Sequence, residues 1–220
     1  MTTLAPPEYD FKGLVAQALR TATQRDPASK DHFRMSSLGH CYRAQVGLRA
    51  ELTPTNPFDD RTMFKLWTGT EIGRQLRGLL EAHGVLDPTW SEKEVRYRNY
   101  VGHVDGALLN HPDGACLWEC KTSDDDAITK PDWPQHYAWQ TAGYMLASGI
   151  PRCLLFQLGK NQGLSRTMLF ALDERWTKAV NANMDGAEWA WEDYQKTKIL
   201  PDHFHQFGWE DRYCPFLETP

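Results

Sequence analysis

Apolar residues near the start of the chain recur at helical spacing, with Phe11, Leu14, Val15 and Leu19 on one side, until Asp26, Pro27 and Ser29 punctuate the pattern. The stretch Ser36–Ala50 predicts a short helix that Ser36 or Ser37 caps, carrying Leu38, Cys41 and Val46 inward, and Pro54 and Pro57 end it. A longer helix is expected from Arg61 to His83, with Ile72, Leu76, Leu79 and Leu80 on one stripe and Gly84 as its stop. From Ser91 the period changes to alternation. Segments 94–100, 101–109 and 115–123 read as three successive strands, the last two joined by a loop holding Asn110, Pro112, Asp113 and Gly114. A helix from Trp133 to Ser148 stops at Gly149 and Pro151, and two further strands follow, Cys153–Leu158 and Leu164–Leu172. A final helix from Asp173 to Lys196 buries Trp176, Val180, Met184, Ala187 and Trp191.

This order predicts a single α/β domain with a central mixed β-sheet flanked by helices. A helical N-terminal extension covers 1–60, the core 61–172, and a C-terminal helix and tail 173–220. At 220 residues, 41% hydrophobic and 24% charged, the chain holds enough apolar material for one core. A formal net charge of −5 argues against a broad basic nucleic-acid surface and leaves room only for a local groove lined by residues such as Arg96, Arg98, Lys121 and Lys130. Neither a secretory leader nor a membrane-length apolar run is present, so a cytoplasmic location without membrane contact is expected. Five scattered cysteines do not read as a disulfide framework; Cys116, Cys120 and Cys153 read as small buried hydrophobes.

The chemistry concentrates in GHVDG and WECKT. Alternation puts Leu117, Glu119 and Lys121 on one face, and antiparallel pairing across 110–114 brings Asp105 beside Glu119. Two carboxylates and an amine are what a hard divalent cation and a phosphodiester require: oxygen ligands from Asp105 and Glu119, the backbone carbonyl of Cys120 as a third, and Lys121 to orient water and stabilise phosphate charge. A Glu-x-Lys pair alone is more often a surface ion pair. Asp124, Asp125 and Asp126 read as a solvated turn, Trp133 and Trp139 as buried aromatics with base stacking as the alternative, and His136, Gln140 and Tyr144 as a polar stripe on one helix face.

The ordered set GHVDG, WECKT and QTAGY resembles the RecB-like branch of the PD-(D/E)XK nuclease superfamily, which includes CRISPR-associated exonucleases. The resemblance covers about Ser91 to Ser148. It implies a restriction-endonuclease-like core, metal binding by Asp105 and Glu119, a hydrolytic role for Lys121, and a site-lining role for Gln140 and Tyr144. The implied activity is Mg²⁺- or Mn²⁺-dependent hydrolysis of DNA at ends or in single strands, in recombination, repair or phage DNA metabolism, with recombination or repair proteins as partners. The alternative is a catalytically inactive nucleic-acid-binding or adaptor module. Two departures stand out. The family's Gly-x-x-x-His aligns with GTEIG, where Gly73 replaces histidine, leaving Glu71 or His103 as substitute ligands. Of the four cysteines that hold a [4Fe-4S] cluster in that branch, only Cys41 and Cys214 match, and two thiolates cannot hold an ordinary cluster. The expectation is a cluster-free remnant, with His203 and His205 either completing a different metal site or standing as exposed tail residues.

Overall fold

The computed structural model describes residues 31–208 and 210–217, together with Gln17, Ala18 and Thr21. The Phe11–Leu19 helical pattern falls largely outside the described residues. The chain is mixed α/β, as the alternation of periods predicts, but its strands divide into two sheets.

Strand β1 (Phe33–Arg34) pairs parallel with β3 (Tyr100–Val104), and β2 (Lys93–Tyr97) pairs antiparallel with β3, giving the order β1-β3-β2. The second sheet has the order β4-β5-β6-β7, from β4 (Gly106–Leu108), β5 (Cys116–Ser123), β6 (Arg152–Gly159) and β7 (Ser165–Ala171). The segment expected as one strand over 101–109 therefore breaks. Val104 pairs with Lys93 in the first sheet and Gly106 with Trp118 in the second, so Asp105 alone spans the junction. The strand expected over 94–100 also divides, because Arg98 takes a left-handed φ of 54° and turns β2 into β3. Asp185 and Glu188 hold its guanidinium at 2.6 and 2.9 Å.

Helix α1 (Tyr42–Arg49) follows a 3₁₀ turn at Met35–Ser37, and its N-cap is Cys41 rather than either serine. Helix α2 (Asp60–Ala82) begins where Asp59 accepts a hydrogen bond from Thr62 N–H at 2.8 Å. Its expected apolar stripe is only partly covered. Leu79 is 55% exposed, and the helix's one buried residue is Arg77. A Cβ at Gly69 would run into Thr122 Oγ1, so the missing side chain lets α2 lie directly on β5. The short α3 (Asp125–Ile128) and the longer α4 (Gln135–Ser148) make the crossover between the parallel strands β5 and β6. Gly149, at φ 71°, caps α4 as expected. Asp125 is buried, not solvated, and accepts a hydrogen bond from Gln162 N–H at 2.9 Å.

Helix α5 (Glu174–Thr197) starts at the Asp173 cap and buries Val180, Met184, Ala187 and Ala190. Val180, Met184 and Ala187 share one core with Phe33, Met35, Leu38, Tyr100, Val104, Leu117, Tyr144 and Met145. The described chain ends in α6 (Glu210–Tyr213) and a tail whose Phe216 packs on Val46 and Ala190. No helix among the described residues is long and apolar enough to cross a membrane.

Candidate active site

The junction between the sheets is where the polar residues meet. At the end of β4 the ladder to β5 stops at Trp118, and Asp105 fills the next position with its side chain, Oδ2 accepting from Cys120 N–H at 2.7 Å. A strand residue's N–H and C=O leave on the same edge, so the Cys120 carbonyl also faces the Asp105 side. Glu119 and Lys121 project together from β5, with Lys121 Nζ 2.6 Å from Glu119 Oε1. Glu119 is only 2% exposed, and its Oε2 has no hydrogen-bond partner. A buried carboxylate oxygen left without a donor is costly unless a proton or a cation satisfies it.

Burial, with the Asp105 charge beside it, pushes the Glu119 carboxyl up to about 8. Asp105 is also raised by burial, against the pull of Lys121. For Lys121 burial acts downward, but Glu119 and Asp105 outweigh it and hold the ammonium well above its usual range. Two acids that resist ionising together beside a permanent cation form a donor set short of positive charge. An oxygen-loving divalent ion suits it.

The wall of the site comes from α4. Gln140 Nε2 donates to Tyr144 Oη at 2.7 Å, and the charges acting on that buried phenol are those of Glu119, Lys121 and Asp105. Tyr144 reaches this position because β3 carries Gly102 opposite it: a Cβ there would stand 2.5 Å from Tyr144 Cε1. His136 departs from the stripe expected with Gln140 and Tyr144. Its ring packs against Tyr137 and Phe207, and burial lowers it to about 4, so it is neutral.

Glu71 and His103, the other two expected ligands, have partners elsewhere. Glu71 is held by Arg74 at 2.6 Å, and His103 lies on the exposed side of β3, 3.8 Å from Glu94 across the hairpin. A side chain at Gly73 would meet nothing within 4 Å. Three of the four cations expected to line a groove are already paired: Arg96 with Glu94, Arg98 with Asp185 and Glu188, and Lys121 with Glu119. Trp133 lies under Arg166 and Trp139 packs edge-on against Trp176, so neither is a free stacking platform.

Arg77 was not foreseen. Its guanidinium stands 4.0 Å from Asp105 Oδ1 and pairs with Glu92, supplying positive charge behind the first acid. The available signal was an arginine directly flanking the apolar positions Ile72, Leu76 and Leu80.

The fold has a counterpart in the crystal structure of the protein SSO0001, similar over 93% of this chain and 92% of that one, with a TM-score of 0.57 and 15% identity. At that identity the likeness is one of fold. The alkaline exonuclease LHK-Exo of Laribacter hongkongensis, in complex with dAMP, is similar over 78% of this chain and 96% of its own, at 15% identity and a TM-score of 0.49. A phage-related exonuclease from Haemophilus somnus 129PT covers 76% and 96%, at 12% identity and a TM-score of 0.42. No protein-family model and no curated protein matches the chain.

Proposed function

We propose that the chain is a metal-dependent nuclease of the PD-(D/E)XK type, in its RecB-like branch, that hydrolyses DNA phosphodiester bonds as an exonuclease at ends or in single strands. The observation that carries this reading is the convergence of Asp105, Glu119 and Lys121 at the sheet junction, with Glu119 Oε2 buried and unpartnered. Asp105, Glu119 and the Cys120 carbonyl would hold Mg²⁺ or Mn²⁺, which when bound supplies Lewis-acid polarisation of the phosphate and lowers the pKa of water.

The protein's own residues do the remaining work. Asp105 is fixed in place by Cys120 N–H and by the positive charge of Arg77. Lys121, kept protonated by the two acids, offers N–H donors to a phosphate oxygen as negative charge grows on it. Gln140 donates an amide N–H to Tyr144, and its carbonyl oxygen would serve as an acceptor for the attacking water. In hydrolysis that water adds its oxygen to phosphorus and gives up a proton, one P–O bond to a sugar breaks, and the departing alkoxide takes up a proton in turn.

The test uses labelled single- and double-stranded DNA with Mg²⁺ or Mn²⁺. Wild type should degrade substrate only with metal present, whereas Asp105→Ala and Lys121→Ala should not degrade it. DNA retained without cleavage by wild type would favour a binding module.

A further inference from the structure

A second group of ligand-type side chains lies away from the sheet junction, where the C-terminal tail closes over α1. The ligand atoms of Cys41, His203 and His205 all lie within 4.8 Å of one another. The Cys214 thiol is in hydrogen-bond contact with that of Cys41. Both cysteines are buried and free of disulfides, while His203 and His205 form the outer side. His203 Nδ1 and His205 Nε2 stand 3.2 Å apart. Two nitrogens on a tetrahedral Zn²⁺, with bonds of about 2.0–2.1 Å, would be separated by about 3.3 Å.

The surroundings are those of a metal centre. His203 Nε2 is 3.0 Å from the Leu217 carbonyl, which places the ring proton on Nε2 and leaves the Nδ1 lone pair directed at His205. Backbone N–H groups of Phe204, Ala44 and Arg43 turn toward the Cys41 sulfur, as donors do around a metal-bound thiolate. Glu210 ties the frame together, accepting from Cys41 N–H at 2.8 Å and Phe207 N–H at 3.0 Å.

We propose that Cys41, Cys214, His203 and His205 form a tetrahedral Zn²⁺ site that fastens α1 to the C-terminal tail. Two thiolates and two imidazoles satisfy zinc with no open coordination position, so the role is structural rather than catalytic. The site is independent of the nuclease reading, because none of its residues belongs to the sheet junction.

The experiment is elemental analysis of the purified full-length protein after dialysis against limiting zinc, comparing wild type, Glu119→Gln and the double variant His203→Ala/His205→Ala. About one zinc per chain is expected in wild type and in Glu119→Gln, with less than a tenth of that in the double variant. A zinc chelator should lower the wild-type Tm and leave the double variant's unchanged. Should that variant fail to fold, Co²⁺-loaded wild type decides: intense tetrahedral bands with thiolate charge transfer support the site, and weak octahedral bands overturn it. Wild type without zinc, a double variant that keeps a full equivalent, or stoichiometric iron and sulfide in zinc's place would each overturn it as well.

Discussion

Glu119 is where a proton and a cation compete for the same oxygen. Its carboxyl holds a proton to about pH 8 in the fold, against 4.5 for an ordinary glutamate. The folded state therefore binds the proton that the unfolded chain has released. Metal-free stability from this group is complete below about pH 4.5 and is lost as pH rises through 8, and the raised Asp105 adds in the same direction. In EDTA, Tm should fall between pH 5.5 and 8.5 for wild type more steeply than for Glu119→Gln. The Mg²⁺-induced rise in Tm should grow over the same window, because the ion needs the ionised acid. A Mg²⁺ shift of equal size at both ends of the window would remove Glu119 from the ligand set. Lys121→Met should cut the turnover rate by on the order of 10²–10³-fold while leaving the protein folded, which a rate measurement beside a melting curve can separate. Arg77→Met should destabilise by about 1–3 kcal/mol by denaturant unfolding, less than a fully buried pair would because Glu92 is half-exposed.

At the level of elements, the glycine at 102 decides how closely α4 approaches β3. A methyl there would meet Tyr144 Cε1 at 2.5 Å and Met35 Cβ at 2.7 Å, with no flexible tip to give way. Gly102→Ala is expected to cost about 1–3 kcal/mol in chemical denaturation and to displace the Gln140–Tyr144 pair, so activity should fall as well. The ends of elements were legible from residues with local chemistry: Asp173 capping α5 and Gly149 closing α4 act through their own neighbours. What α2 buries was not legible. Periodicity marks one face of a helix, but that helix lies across the edge of β5, where Leu79 stays in solvent and Arg77 goes inside. The break at Asp105 was hidden for a similar reason. An alternating pattern runs through 101–109 unchanged whether one sheet or two receives it, and only the loss of the β5 ladder beyond Trp118 converts Asp105 from a strand residue into a cap on Cys120. The nearness of Asp105, Glu119 and Lys121 could be read from sequence because Asp105 directly precedes β4, the antiparallel neighbour of the β5 that carries the other two. The cations could not, because Arg98 is claimed by α5, more than eighty residues away.

For the molecule as a whole, charge sets how DNA must be bound. The chain carries a formal −5, and Arg96, Arg98 and Lys121 are each committed to carboxylates of the same chain. A phosphate approaching the sheet junction without metal meets two acids and one already paired ammonium. Repulsion there should dominate, and it should grow with pH as Glu119 ionises. Two outcomes follow for single-stranded DNA binding measured in EDTA by fluorescence anisotropy. Glu119→Gln should bind more tightly than wild type at pH 9, and the two should converge at pH 6.5, where the wild-type acid already holds its proton. The salt slope should also be shallow, because each phosphate neutralised contributes about 0.7 to the slope of log K against log salt on a single strand. Three contacts would cost about 20-fold between 50 and 200 mM salt, where six to ten would cost on the order of 10²–10⁴-fold. A loss in that larger range, or weaker binding by Glu119→Gln at pH 9, would mean that a basic surface remote from the two acids governs the encounter with DNA.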